Sequence, residues 1–483
     1  MEVTRVRRWS GFRRGAAIVL AGGLAVIVAA AVLGSMAAAA PLGFLHIRSN
    51  LSGTALLDSA YPDLAVSPDG KRVAVVWTEG YGSFADFRGH VYLRAAAETG
   101  GGWGSRITVF RGDSFARAYD AAVAVMSDTA HVAYAVLFFD AGGFFIQAKV
   151  RYETCSLTSM QCGGWQDVSE SLDPYLITQV DIALDEAGDP HVVWTRCTAA
   201  GDKGDIWYNA RSAGTWGSNP KWVDEVPNNV DSEPAIAWAD GYAHVVWKAK
   251  HTGAGGNLHY IRYRRVNKAG TWESIIPLVN GERDYPPGNP DVAAGAGRAF
   301  VVWDWCNDID RAIRGYCQVY RLVYWRSDRP TEIQEVGTNR TAGMADYYSI
   351  DDKMRFPDNS EYLLDLKPSI ALNKDGWPAV VWHSNHGGEG EEMSYAVYYS
   401  YAITGTGDGS VDWITTTTVL SQSQPLMAGS AAIGVGTPRP AGEQPLHIAY
   451  MQQLGTGYWD VYYDSNEKDR YGYLYLPIIM RTG

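Results

Sequence analysis

The chain of 483 residues is acidic, with 41 Lys and Arg against 53 Asp and Glu and a formal charge of −12. An acidic chain with no Lys/Arg cluster in its body has no basic face from which a polyanion could release counterions, which excludes nucleic acid as a natural partner. Its 52 Gly, 18 Trp and 29 Tyr, with charged residues at 19%, describe a large packed β-protein and exclude a disordered one.

Residues 1–40 stand apart in composition and read as an export signal. Arg5, Arg7, Arg8, Arg13 and Arg14 form a basic n-region, Ala16 to Gly34 is an apolar run, and Ser35 to Ala40 supplies small residues for cleavage near Ala38 to Ala40. At about nineteen residues the run is also just long enough to stay as a membrane anchor. Either outcome puts the remainder in an extracellular or cell-surface setting, touching membrane only through this segment if it is uncleaved. Losing five Arg and one Glu, a net +4, takes the charge from −12 to −16. Five Cys in an exported chain point to disulfides: Cys155 with Cys162 across one loop and Cys306 with Cys317 across another, leaving Cys197 odd.

The body of the chain repeats. A segment of two aliphatics and an aromatic recurs as Val75-Val76-Trp77, Val132-Ala133-Tyr134, Val192-Val193-Trp194, Val245-Val246-Trp247, Val301-Val302-Trp303, Val380-Val381-Trp382 and Ile448-Ala449-Tyr450. Ahead of each lies a second element, exemplified by Asp63-Leu64-Ala65, Asp120-Ala121-Ala122, Asp181-Ile182-Ala183 and Asp291-Val292-Ala293. Turn formers such as Pro68-Asp69-Gly70 and Lys374-Asp375-Gly376 separate the two and make them a hairpin. Aromatic runs such as His259-Tyr260-Ile261-Arg262-Tyr263 mark a third strand, and Trp103, Trp165, Trp216, Trp272 and Trp413 open a fourth.

Strands such as Val-Val-Trp have no solvent face, so both sides of each sheet must be covered. Radial stacking does this and leaves only short edges. The expectation is an all-β fold, a seven-bladed β-propeller of four-stranded antiparallel blades over residues 41–470, with an insertion within Ser327 to Leu366 and an apolar tail or closing strand over 471–483. Phe44 to Ser49 precedes the first Asp-Leu-Ala as a fourth strand would, and is expected to complete the last blade; Tyr471 to Met480 is its rival.

The Pro-Asp/Ser-Ile-Ala element, the His-Val-Val-Trp strand and the later Gly-Thr-Trp resemble the repeats of bacterial sialidase-like propellers with BNR, or Asp-box, repeats. The Asp-box itself is degenerate: Arg211-Ser212-Ala213-Gly214-Thr215-Trp216 and Asn267-Lys268-Ala269-Gly270-Thr271-Trp272 keep Gly-Thr-Trp and lack the Asp. The resemblance implies a propeller. For a sialidase it would also imply three Arg that clamp the substrate carboxylate, a Tyr nucleophile activated by a Glu, and an acid/base Asp. The Arg-Ile-Pro setting of the first clamp Arg does not occur, and Ile47-Arg48 is a poor substitute.

Function on such a fold concentrates in the loops at one mouth of the channel, after each Val-Val-Trp and before each Asp-Ile-Ala. The recurring Asp63, Asp120, Asp181 and Asp291 suit a structural task, bonding to backbone amides of a neighbouring blade, with an axial cation site as the alternative. The strongest departures from the repeat give the candidate ligand-binding residues: Trp305, Asp308, Asp310, Arg311, His383 and His386. Oxygen ligands clustered between Cys306 and Cys317 would also suit Ca²⁺, whereas His383, His386, Glu389, Glu391 and Glu392 fit no metal-ligand spacing; no other cofactor is expected. The sequence therefore points first to a non-catalytic recognition propeller binding glycan or extracellular protein, and second to an exo-acting glycoside hydrolase related to sialidases.

Overall fold

In the computed structural model the described residues are 49–465, except 54–56, 82–87, 98–101, 170–174, 199–203, 227–228, 254–255, 283–286, 311–315, 332, 336–366, 387–393, 406–410, 414–417, 420–427, 437–444 and 454–458. The export signal, the insertion and the C-terminal tail lie outside or largely outside them. Among the described residues every regular element is a β-strand.

Each repeat begins with a hairpin, such as Leu176–Leu184 paired with Pro190–Cys197, and continues outward through a third strand, here Gly204–Ser212. The first strands pack against one another in a closed cycle: Asp58–Val66, Ala116–Met126, Leu176–Leu184, Asn229–Ala239, Pro287–Gly295, Ser369–Leu372, Ala428–Val435 and back to Asp58–Val66. First strands gathered around an axis, with later strands stepping outward from it, make the fold a β-propeller.

Hydrogen bonding divides the described strands into six sheets, not the seven separate blades expected, because one sheet of nine strands spans the first two repeats. The two are joined where Gly89, in the third strand of the first repeat, pairs with Ala118 in the first strand of the second. Gly89 sits so close to the Glu79 backbone that a Cβ would overlap its carbonyl oxygen. That close approach is to the second strand of its own repeat, whereas Ala118 is met from the other edge.

The ends of the chain close the ring. Ser49–Asn50 pairs with Tyr463 and Tyr462 of the last repeat, and Leu51 N–H continues the ladder to the Val461 carbonyl at 2.8 Å. Of the expected closing segment Phe44 to Ser49 only Ser49 is described, and with Asn50 it completes the last sheet, fixed by Asn50 and Ser52 donating to the Asp460 carboxylate at 3.0 and 2.7 Å.

Between repeats the core is aliphatic and aromatic. Trp77, Trp247 and Trp303 are fully buried, and the Gly-Thr-Trp tryptophans seal neighbouring repeats, Trp216 edge-on to Tyr152 and Trp272 edge-on to Tyr208, each at 5.2 Å. Four repeats also carry a buried His whose Nδ1 meets a Tyr hydroxyl on the adjacent strand: His131 with Tyr152, His191 with Tyr208, His244 with Tyr263 and His447 with Tyr463, at 2.5–2.6 Å.

Cys155 and Cys162 form the expected disulfide, and Cys197 is free. The side chains of Cys306 and Cys317 lie outside the described residues; in the backbone register Cys306 stands opposite Tyr320 and Cys317 opposite Ile309.

Candidate functional site

The first strands are the inner edges of their sheets, so one row of their backbone groups has no sheet partner and must be satisfied otherwise. The recurring aspartates do this. Each takes the N–H of the following residue on its own strand with Oδ1, Leu64, Ala121, Ile182 and Val292 respectively. With Oδ2 each reaches the next inner strand: Asp63 to Val123 N–H, Asp120 to Val180, Asp181 to Ile236 and Asp291 to Ile370, at 2.7–2.8 Å. They are the expected tethers between neighbours, and among the described residues no group of metal-ligating side chains gathers into an axial cation site.

Burial raises the proton affinity of these carboxyls more than the N–H bonds lower it. Asp63 is pushed up to about 7, Asp120 and Asp291 to about 6, and Asp181 well above the ordinary range, where the nearby charges of Asp63 and Asp291 add to burial.

Immediately before each tether the strand bulges. The register of the first hairpin slips between Ala60 and Asp63, and equivalent slips occur at 118/121, 178/180, 232/235, 288/291 and 429/431. Proline helps to enforce this: Tyr61-Pro62, Glu233-Pro234, Asn289-Pro290 and Lys367-Pro368 put a residue without an N–H where a ladder bond would fall. The bulged residues take left-handed backbone, Tyr61 at φ 50°, Gln179 at 54°, Glu233 at 56°, Asn289 at 45°, Lys367 at 34° and Ser430 at 25°. None is glycine, so the conformation carries strain, and repeated strain of this kind marks functional sites and ligand clamps.

Neighbouring members of this set are linked in two runs, Lys367 to Tyr61 to Tyr119 and Gln179 to Glu233 to Asn289. Tyr61 and Tyr119 lie 6.1 Å apart between ring centroids, and Lys367 Nζ stands 5.5 Å over the Tyr61 ring from the far side of the closing repeat. Gln179 Oε1 accepts the backbone N–H of Glu233 at 2.9 Å and the Thr195 hydroxyl at 3.1 Å. Glu233 Oε2 in turn accepts the N–H of Asn289 at 2.6 Å, its Oε1 takes Lys248 Nζ at 3.2 Å, and Asn289 Nδ2 donates to Asp304 Oδ2 at 3.1 Å. The result is a ring with an aromatic arc, Tyr61 and Tyr119, and a charged arc, Glu233, Lys248, Asn289 and Asp304. Burial, with Tyr119 and Asp120 beside it, raises the proton affinity of the Tyr61 phenol, the opposite of activation as a nucleophile.

The start of each first strand and the end of each second strand share one end of the repeat, since Ala60 pairs with Thr78 and Gly288 with Asp304. Trp305 therefore stands at the same mouth, half-buried and tilted against Trp303 at 6.4 Å. His383 is buried, and burial with the Lys367 charge pulls its imidazole down to about 3. Asp308, Asp310 and His386 fall in the strands Arg298–Asp310 and Pro378–His386; their side chains, and Arg311 altogether, lie outside the described residues. A shallow cleft lined by Tyr175, Trp194, Arg196 and Trp207 opens between the second and third repeats, with Arg196 over the Tyr175 ring at 4.2 Å.

Sequence reasoning did not single out the bulge ring. Its signal was the residue before Pro-Asp, Pro-Ala or Pro-Ser, which changes from Tyr to Glu, Asn and Lys while its surroundings repeat.

No protein-family model and no curated protein matches the chain. Solved structures similar to it include the GH93 α-L-arabinofuranosidase of Fusarium graminearum with arabinobiose, at 11% identity and a TM-score of 0.43 over 84% of this chain and 92% of that one. A Penicillium chrysogenum α-L-arabinanase is similar at 11% and 0.41, covering 88% and 97%. The NanB sialidase of Streptococcus pneumoniae is similar at 10% and 0.42, covering 88% and 70%. Likeness at this level decides no chemistry, and the propeller itself is established by the sheet order and the closed cycle of inner strands.

Proposed function

We propose that the chain is a carbohydrate-directed propeller that seats a sugar on the bulge ring and hydrolyses its linkage. The observation that carries this reading is the carboxylate pair Glu233 and Asp304, on successive repeats, joined through Asn289, with Lys248 on Glu233. Glycoside hydrolysis generally works through two carboxyl groups flanking the scissile bond, and an aromatic arc opposite them suits the apolar face of a sugar. Taking the nine-stranded sheet as two blades joined at Gly89, the propeller has seven. Trp305, with Asp308, Asp310, Arg311 and His386, would form the outer rim on an extracellular or cell-surface protein.

Recognition without catalysis is the second reading. It is favoured by Tyr61, whose phenol is held protonated rather than prepared as a sialidase-type nucleophile.

A glycan array combined with a panel of fluorogenic exo-glycosides, α-L-arabinofuranosides and sialosides included, tests the proposal. Turnover of one glycoside, with kcat reduced roughly 100-fold or more by Glu233→Gln or Asp304→Asn, is the expected result. Binding without turnover of any glycoside returns the protein to the recognition reading, and the absence of both removes carbohydrate altogether.

A further inference from the structure

The seam between the third and fourth repeats buries more acid than base. Asp224 is wholly buried, takes Arg262 Nη1 on both oxygens at 2.6 and 2.7 Å, and receives Asn229 Nδ2 at 2.9 Å. Asp231, two residues before Glu233 on the inner strand Asn229–Ala239, is 1% exposed. Its carboxyl lies beside that of Asp224 in the same buried seam, and neither of its oxygens has a hydrogen-bond donor among the described residues. Two carboxylates have no hydrogen to place between them, so such a contact requires a proton on one.

The charges point the same way. The Arg262 guanidinium lies on Asp224, and a second ionised carboxylate beside it would be buried without compensation. Asp205, from the strand Gly204–Ser212, adds further negative field, balanced in part by Arg196. Otherwise His251 reaches the seam through Asn229, at 3.3 Å. A metal ion in place of the proton would have to sit against the guanidinium.

We propose that Asp231 and Asp224 share a proton in the folded protein, making this seam a pH-sensitive latch behind Glu233. Burial, then Asp224, drives the proton affinity of Asp231 far above the ordinary carboxylate value of 3.8. The native state therefore keeps a proton that the unfolded chain releases, and the contribution of the pair to stability falls as pH rises above the ordinary carboxylate range. Once the proton leaves, like charges separate the two repeats and displace the strand start that carries Glu233. This last consequence rests on the mouth being the ligand site; the shared proton does not.

Infrared difference spectra of protein labelled with ¹³C in the Asp carboxyls, taken at about pH 8.5, well above ordinary carboxylate titration, test the proton directly. A protonated-carboxyl band in the parent that persists in Asp181→Asn and vanishes in Asp231→Asn is the expected result. In thermal melts the gap between Asp231→Asn and the parent should widen in the variant's favour from about pH 5 to pH 9, because at this seam only the parent must take up a proton to fold. If Asp231→Asn does not fold, the parent and Asp181→Asn spectra decide alone. A parent without the band, or a band that disappears in Asp181→Asn, overturns the proposal, and neither readout involves a ligand.

Discussion

Asp181 Oδ2 accepts the backbone N–H of Ile236, on the next inner strand, at 2.7 Å. Its Oδ1 meanwhile holds Ile182 on its own strand at 2.8 Å. One side chain thus satisfies two amides that the sheet edge leaves open, and ties one repeat to the next. Asp181→Ala should leave both N–H groups unsatisfied and destabilise the fold by roughly 2–5 kcal/mol, read from denaturant unfolding. A loss below about 0.5 kcal/mol would show that water replaces the tether without cost.

Two sets of buried groups should pull stability in opposite directions with pH. Burial pushes Asp63 up to about 7 and Asp120 and Asp291 to about 6. Their folded values exceed the unfolded one, so their contribution is greatest in acid and is lost as pH rises toward 6–7. Burial pulls His131, His191 and His244 down to about 4, so their contribution is full above 6.5 and is lost as pH falls toward 4. The melting temperature should therefore change little between about pH 4.5 and 6.5. Asp63→Asn should tilt that plateau so that stability falls more steeply into acid, and NMR of labelled His should show these three imidazoles neutral at pH 5. Imidazoles titrating near 6.5 would contradict the assignment.

Closure by the N-terminal strand should be a stability determinant. Leu51 is fully buried against Val461 and Tyr463 of the last repeat. Leu51→Ala should cost about 2–5 kcal/mol, as other buried leucines do, and protease should then cut first at the seam between the first and last repeats. Unchanged stability and protease resistance would mean that the ring closes without this strand.

Trp247 lies fully buried among Val193, Ile206 and Ile236, between the third and fourth repeats. Trp247→Ala should cost about 3–5 kcal/mol in denaturant unfolding. A variant of parental stability would show that the repeats do not need this aromatic between them.

The fold was legible because its signals are local and repeated. Val-Val-Trp, the turns after Asp63-Leu64-Ala65 and its equivalents, and the regular Asp all report on one hairpin at a time. The role of those aspartates followed from their regularity. Six sheets in place of seven could not be foreseen, because the junction is a single bridge between Gly89 and Ala118, in strands of different repeats. The mouth was legible only in outline. Trp305 and His383 were chosen where the repeat breaks down, whereas the bulge ring varies at a place where the repeat holds. Tyr61, Glu233 and Lys367 lie far apart in sequence, and ring closure brings them to one rim. The histidines preceding Val132, Val192, Val245 and Ile448 were in view as part of the repeat, but their tyrosine partners emerge only from the strand register.

The affinity of the best glycan from the array for the parent, Tyr61→Ala and Glu233→Gln, set beside Lys374→Ala in a turn at the opposite end of its repeat, tests the bulge ring most directly. The two mouth variants should weaken binding roughly tenfold or more, about 1.4 kcal/mol, at unchanged melting temperature, and Lys374→Ala should bind as the parent does. Full affinity in both mouth variants, or a loss confined to Lys374→Ala, would place the ligand elsewhere and contradict the account.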